Sequence, residues 1–227
     1  MLLADNSWIH PVAEYMAREG LTLTLKIAAA SVIASAIVGV ILGTLLTIDF
    51  LPLRAAIRLY IEVWRGLPIV VTIFIIFFVL PTFDVRFSAW KAAAIGLTLW
   101  GSAQIAEATR GAVQSIPREQ HEAASALGFG WLGRHVFVVL PQALRRLLPP
   151  TVSLLVNVIQ NSTLASLIGA TELLKAGQLQ TEALVLPPPT GIGELHAFEI
   201  YGGVMATFFV ISFPLTRLAA YLERRLV

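Results

Sequence analysis

Long apolar runs, each about the length that crosses a lipid bilayer, constrain this chain more than any other feature of its sequence. A membrane-spanning helix needs roughly 20 mainly apolar residues. A β-barrel would instead need short segments of alternating polarity, and these runs do not alternate. Because backbone N–H and C=O groups must bond to one another inside lipid, the runs predict α-helices. The five predicted spans are residues 21–48, 57–80, 89–109, 147–174 and 198–221.

The composition agrees with an all-α integral membrane protein. Hydrophobic residues make up 57% of the 227 residues and charged residues only 13%, against about a quarter charged in soluble domains. The sequence has no cysteine, which excludes disulfides and cysteine metal sites. A net charge of +2 gives no indication of a nucleic-acid partner. No lysine precedes Ser or Thr, so a G-x-x-x-x-G-K-[ST] phosphate loop is absent. We therefore predict no cofactor and no catalytic site, and a chain that does not hydrolyse ATP by itself.

The distribution of basic residues predicts the topology, since cytoplasmic loops carry an excess of Arg and Lys. Five spans place the two termini on opposite sides of the membrane. Eleven of the 16 basic residues then fall on one side and five on the other. The richer side should be cytoplasmic, so the N-terminus is predicted outside and the C-terminus inside. The chain forms one predicted transmembrane domain, residues 1–227, with a long cytoplasmic loop at residues 110–146.

A polar cluster interrupts the fourth predicted span. Gln160, Asn161, Ser162 and Thr163 follow an apolar run of about 20 Å of helix, which places them near the bilayer midplane. Asn157 shares a helix face with Asn161. Either the helix is broken and the cluster lines a cavity, or each side chain bonds to a neighbouring helix. We favour a cavity for Gln160 and Asn161, and neighbouring helices for Ser162 and Thr163.

Two further polar residues lie in the third predicted span. Gln104 and Glu107 are three residues apart, and a carboxylate within a span indicates a functional site by default. Glu107 can also pair with Arg110, three residues further on. A structural ion pair and a gate or substrate contact both stay open for Glu107. With the polar cluster and Asn157, these two residues complete the predicted substrate path.

The long loop contains a short predicted helix that ends at Gly128. The sequence Glu122-Ala123-Ala124 is followed after three residues by Gly128, after nine more by Val138, and one residue later by Leu140-Pro141. Composition alone would equally suit a helix lying on lipid. The spacing, however, resembles the EAA signature of ABC importer permeases, E-A-A-x3-G-x9-I-x-L-P. Only Val138, in place of Ile, departs from that pattern.

The resemblance extends over almost the whole chain. Residues 60–71, 102–117, 140–150 and 161–174 look like the polar amino acid uptake permeases, which handle histidine, arginine, glutamine, glutamate and opines. It implies a type I ABC importer permease fold, a multi-pass position in the bacterial inner membrane, and cytoplasmic ATPase subunits as partners. A second permease subunit, identical or related, and an extracytoplasmic solute-binding protein are implied as well. By analogy the ATPase-coupling element contains Glu122, Ala123, Ala124 and Gly128, and Leu127 extends its apolar face.

The resemblance also bears on the substrate. Similar permeases often have K-D-[ST]-[SA]-L where this chain has residues 160–164, Gln-Asn-Ser-Thr-Leu. Neutral amides in place of the two charges imply a less charged substrate or a charge supplied by the partner permease. An importer of another small solute is the nearest alternative. A non-transporting membrane scaffold or a passive channel would explain the spans, but neither would need the spaced loop motif.

Overall fold

The computed structural model describes residues 6–186 and 195–226, and the regular elements in these ranges are all helical. Wider π-helical turns lie between α1 and α2, after α4, and between α7 and α8. The all-helical prediction is confirmed for the described residues. The α-helices are α1 Ile9–Tyr15, α2 Thr22–Leu45, α3 Leu51–Gly66, α4 Ile69–Phe74, α5 Ala89–Gln114, α6 Arg118–Ala126, α7 Trp131–Arg134, α8 Leu140–Asn161, α9 Leu173–Val185 and α10 Ala197–Leu226.

Three continuous helical stretches are long and apolar enough to cross a membrane, namely Ile9–Leu45, Trp131–Ile168 and Ala197–Leu226. A bent pair, Leu51–Gly66 with Ile69–Phe83, meets the same criterion if it is taken as one span. Helix α5, with 26 residues, is also long enough to cross a membrane, but its polar side chains make it less apolar than these stretches. The multi-pass architecture is thus confirmed, whereas the count of five spans stays a prediction.

Two predicted spans differ from the structure in their shape and bounds. The run 57–80 is bent by 101° at Pro68, which lacks an N–H and favours the extended backbone found at Leu67. The run 147–174 is interrupted at Gly169, whose φ is +84°. The helical stretch that contains its first part starts earlier than predicted, at Trp131, and ends at Ile168. Much of the predicted loop 110–146 is consequently helical as well.

The most extensive helix interface joins α2 to α5 and fixes where the polar residues of α5 lie. Gly39 and Gly43, one turn apart on α2, allow the two backbones to approach closely. A Cβ atom added to Gly43 would lie only 2.4 Å from the carbonyl oxygen of Ala106. Ser31 Oγ also donates a hydrogen bond across this interface to the carbonyl of Ala94, at 3.2 Å. Close packing and interhelical hydrogen bonds therefore hold α5 against α2.

Candidate functional site

A cavity of about 490 Å³ lies where α5, α8 and α10 meet. Helix α5 contributes Gln104 to its wall and α8 contributes Asn157, so two amides that are far apart in the sequence line one space. Ser153 and Glu223 add a hydroxyl and a carboxylate, and Trp100 adds an aromatic ring. The cavity thus offers hydrogen-bond donors, acceptors and one acid within a mostly apolar helix bundle.

The polar face of α8 explains how Asn157 comes to line the cavity. Ser153, Asn157 and Gln160 are all exposed, at spacings of four and three residues, whereas Leu154 and Val158 beside them are buried. Asn157 Nδ2 donates to the backbone carbonyl of Ser153 at 3.0 Å. Its amide oxygen has no hydrogen-bond donor among the described residues, so it is available to a ligand.

The predicted polar cluster coincides with a change of helix type. Helix α8 ends at Asn161, and a tighter 3-10 helix, Ser162–Ile168, follows. The hydroxyls of Ser162 and Thr163 each donate to the carbonyl three residues earlier, at 2.7 and 2.8 Å. The prediction that these two residues bond to neighbouring helices is therefore wrong. A 3-10 turn brings the i−3 carbonyl within reach of a short hydroxyl side chain, which satisfies it locally.

The side-chain amides of Gln160 and Asn161 have different surroundings. Gln160 is exposed on the same face as Asn157, while Asn161 Nδ2 donates to the carbonyl of Asn157 at 2.8 Å. Neither side chain belongs to the wall of the cavity that Asn157 lines, and neither do Ser162 and Thr163. The structure thus brings together Gln104 and Asn157, and leaves the cluster itself one turn further along the helix.

Glu107 forms an ion pair with Arg110, with Glu107 Oε1 2.5 Å from Arg110 Nη2. Arg110 Nη1 also donates to Gln114 Oε1 at 2.5 Å. Of the two roles predicted for Glu107, this geometry matches the structural ion pair. Glu107 does not line the cavity that contains Gln104, although it is only one turn away.

Glu223 is the cavity residue that the sequence analysis missed. It lies two residues beyond the predicted last span and is followed by Arg224 and Arg225, so its surroundings in the sequence suggest a solvated helix end. Packing of α10 against α8 carries it to the cavity instead. No metal site accompanies it, since the described residues contain no group of three or more His, Asp or Glu suited to an ion.

The predicted coupling helix is α6, which has one buried face and one exposed face. Ala124 is 2% exposed and fastens the helix to the rest of the chain, whereas Ala123 and Leu127 are exposed, Leu127 by 78%. Being four residues apart, Ala123 and Leu127 form an open apolar strip. Glu122 Oε1 accepts a hydrogen bond from Arg118 Nε at 2.8 Å. Ala123 is small enough for a partner surface to approach the helix backbone closely, and Leu127 offers that surface an apolar contact.

Gly128 ends this element as predicted. Its φ of +82° is favourable for glycine and strained for other residues. The Gly128 N–H donates to the Ser125 carbonyl at 3.0 Å, and the Phe129 N–H donates to the Ala124 carbonyl at 3.1 Å. The chain therefore turns sharply and leads directly into α7.

Two side-chain contacts attach α6 to the helix that follows it. Arg134 Nη1 donates to Ser125 Oγ at 3.1 Å, and the ring of His121 meets that of buried His135 edge-on, with centroids 6.4 Å apart. Burial lowers the pKa of His121 below its ordinary value, and the Arg134 guanidinium lowers it further. The sequence pattern offered no signal for these contacts.

Comparison with known proteins shows the family of the chain. Residues 35–227 match the family model described as a binding-protein-dependent transport system inner membrane component. The chain is 34% identical over 210 residues to the glutamine transport system permease protein GlnP of Escherichia coli K12, covering 92% of this chain and 91% of the relative. It is 32% identical over 207 residues to the probable glutamine ABC transporter permease protein GlnP of Bacillus subtilis 168, covering 91% and 92%.

Solved structures share the fold. An amino acid ABC transporter crystallised with histidines aligns with a TM-score of 0.81 at 25% identity, over 99% of this chain and 100% of that one. The inward-facing MetNI methionine ABC transporter aligns with a TM-score of 0.75 at 19% identity, over 96% and 98%, which supports the fold alone. The resemblance to ABC importer permeases is thereby confirmed, and ATP hydrolysis resides in a separate subunit. The chain belongs to the family of binding-protein-dependent transport system inner membrane components and is a multi-pass permease subunit of the bacterial inner membrane.

Proposed function

We propose that this permease subunit serves an ATP-driven importer of polar amino acids, and that the cavity shared by α5, α8 and α10 is part of the substrate's path. The meeting of Gln104 and Asn157 in one cavity is the observation that carries the proposal. Two amides and a hydroxyl suit a neutral polar side chain, since they can donate and accept hydrogen bonds. The names of the two glutamine permeases among its relatives point the same way.

The proposed path continues along α8 beyond the cavity. Gln160 is exposed on the face of Asn157, and Asn161, Ser162 and Thr163 lie at the change to a 3-10 helix. Irregular backbone inside a membrane domain is tolerated where it lines a cavity or is buried in protein. Glu107, the remaining predicted member of the path, would act indirectly by holding Arg110.

We propose a single transmembrane domain of five spans, with the N-terminus outside and the C-terminus in the cytoplasm. Helix α5 supplies the fifth span, because it is 26 residues long and packs against both α2 and α8. The excess of basic residues on one side supports this orientation. The alignment with two ABC transporters over nearly the whole chain supports one domain rather than several.

The proposed partners are cytoplasmic ATPase subunits, a second permease subunit, a solute-binding protein at the outer face, and the surrounding lipid. The exposed strip of Ala123 and Leu127 is the surface that we assign to the ATPase, with Glu122 and Gly128 shaping the helix around it and Ala124 anchoring it. A second permease subunit would complete the enclosure of the polar cavity, whose wall here comes from α5, α8 and α10.

Energy would pass from the ATPase to the cavity through packed helices. Movement of α6 reaches α7 through the Arg134–Ser125 hydrogen bond, and the helical stretch that starts at Trp131 carries Asn157 about 39 Å away along its axis. Arg146 Nη1 donates to the Ser115 carbonyl at 2.7 Å and links this helix to the end of α5. Helices α5 and α8, which both line the cavity, are thus connected to the coupling helix by side-chain hydrogen bonds.

Uptake by the complete transporter tests the proposal. The permease would be reconstituted with its ATPase and binding protein, and ATP-dependent uptake of radiolabelled glutamine measured for Asn157→Leu and Gln104→Leu. Each removes a ligand group from the cavity and should raise KM about tenfold, the loss expected for one hydrogen bond to a polar substrate. Thr216→Val, a polar-to-apolar change on α10 outside the cavity wall, serves as the control.

The same assay separates the alternatives. Uptake of a different small solute, with glutamine and other polar amino acids inactive, would favour an importer of other cargo. Uptake that does not require ATP would support a passive channel, and no uptake of any solute would support a membrane scaffold. Unchanged KM values in both cavity variants, alongside active uptake, would remove this cavity from the path.

A further inference from the structure

A second cavity, of about 370 Å³, lies beside the coupling helix. Its wall combines the ends of α2 and α5 with parts of α3, α6 and α7. No Asp or Glu contributes to the wall, which instead contains four arginines and two histidines: Arg54, Arg58, Arg110, Arg134, His121 and His135. The cavity therefore presents cationic groups and N–H donors to any occupant.

Only part of this positive charge is balanced by the protein. Arg54 Nη2 lies 3.0 Å from Asp49 Oδ1, but the Asp49 side chain is 96% exposed and its charge is well screened by water. Arg110 pairs with the carboxylate on its own helix. Arg58 and Arg134 form no ion pair with any described residue. Two of the four guanidiniums thus form no ion pair, although Glu107 also attracts Arg58 over a longer distance.

Arg134 is the arginine of this wall that has an unsatisfied donor. Its Nη1 donates to Ser125 Oγ, whereas its Nε is buried and has no acceptor among the described residues. Buried N–H donors are nearly always hydrogen-bonded in native proteins, and one without an acceptor is costly. Arg134 thus lines the cavity with a guanidinium that the described residues do not fully satisfy.

We propose that this cavity binds a phosphate group. The planar fork of a guanidinium matches two phosphate oxygens at once, and several converging forks favour a multiply accepting anion. The cavity is distinct from the polar cavity around Asn157, with which it shares no wall residue. The phosphate could belong to the headgroup of an anionic phospholipid or to a small soluble phosphate compound.

The surroundings favour the lipid source. Phe50 and Leu51, at the turn that leads to Arg54, are 57% and 78% exposed and would face acyl chains. A basic pocket next to an apolar surface at helix ends is the arrangement that binds anionic headgroups at the cytoplasmic side of a membrane. A phosphate here would touch α3 and α5 together with His121 of the coupling helix, and would brace that helix against the membrane domain.

The test is direct binding to the purified transporter complex. Native mass spectrometry would count bound phosphatidylglycerol and phosphatidylcholine, and calorimetry would measure binding of glycerol phosphate and of inorganic phosphate. The variant Arg58→Gln with Arg134→Gln removes the two arginines that form no ion pair. Arg145→Gln with Arg224→Gln is the matched control, since both residues are exposed and outside the cavity wall.

We expect phosphatidylglycerol, and not phosphatidylcholine, to bind the native protein. The cavity variant should bind about 25-fold more weakly, roughly fivefold for each arginine, while the control variant stays within about twofold. Arginine-dependent binding of glycerol phosphate or inorganic phosphate alone would support the phosphate site with a soluble source. If the double variant does not fold, Arg58→Gln by itself should still cost about fivefold, because the exposed Arg58 side chain makes no structural ion pair.

Two outcomes would overturn the proposal. One is equal binding of every phosphate probe by the native protein and the cavity variant, or no binding by either. The other is loss of the ATPase subunit from the cavity variant while phosphate and lipid binding are unchanged, which would assign the arginines to an acidic protein surface. These readouts do not depend on amino acid uptake, so they stand apart from the test of the transport function.

Discussion

Arg134 Nη1 donates a hydrogen bond to Ser125 Oγ across 3.1 Å, so the helical stretch that carries Asn157 starts in contact with the coupling helix. The connection does not depend on the loop between the two helices, because it joins side chains directly. Through this hydrogen bond, a movement of the short helix α6 reaches a helical stretch of 38 residues.

Docking of the ATPase should depend on the exposed apolar strip of α6. Ala123→Asp places a charge where a partner must approach closely, and desolvating that charge without a partner is costly. We expect the ATPase to be lost from the detergent-purified complex while the permease still inserts into the membrane. Ala123→Ser, which stays small and neutral, is the control, and copurification undiminished in the Asp variant would contradict this assignment.

Coupling should weaken when the Arg134 hydrogen bond loses its acceptor. Ser125→Ala removes Oγ but leaves the exposed strip intact, so the ATPase should still bind. A hydrogen bond of this kind contributes about 1 kcal/mol, so we expect the ratio of substrate imported to ATP hydrolysed to fall by up to about fivefold. Arg118→Ala, which breaks the exposed Arg118–Glu122 pair instead, should leave that ratio unchanged. Equal ratios for native protein and Ser125→Ala would argue against this route.

The interface of α2 and α5 should tolerate no side chain at Gly43. A Cβ atom there meets the Ala106 carbonyl oxygen at 2.4 Å, and overpacking of this kind costs about 1–3 kcal/mol. Gly43→Ala should therefore lower the thermal midpoint of the complex in detergent. Gly111→Ala is the matched control, since an added Cβ at Gly111 has nothing within 4 Å. A midpoint that falls equally in both variants would show that close packing is not the cause.

Stability should decrease in mild acid because of His121. Its pKa in the folded protein is below the ordinary 6.5, mainly through burial. The unfolded chain therefore binds a proton more readily as the pH falls through that value, and the stabilisation present at higher pH is lost. We expect the thermal midpoint to drop between pH 7.5 and about 5.5, and His121→Gln to reduce the drop. A drop of the same size in His121→Gln as in the native protein would exclude this histidine as its source.

Much of the local structure could be predicted from sequence. Apolar runs of bilayer length determine helices because lipid offers the backbone no other hydrogen-bond partners. The spacing from Glu122 to Pro141 located helix α6, and Gly128 its end, because a positive φ is readily adopted only by glycine. The prediction failed where two local solutions compete, as for Ser162 and Thr163, whose hydroxyls bond within their own tightened turn rather than to another helix.

What the sequence by itself determined is therefore which segments are helical, which faces are polar and where the coupling motif lies. Only the tertiary structure decided that Gln104 and Asn157 share a cavity with Glu223, and that arginines from α3, α5 and α7 converge on another. Periodicity specifies a face of one helix, but not the helix that the face will meet. That choice depends on close approach and complementary packing between distant segments, such as the contact of Gly43 with α5, and no local pattern encodes it.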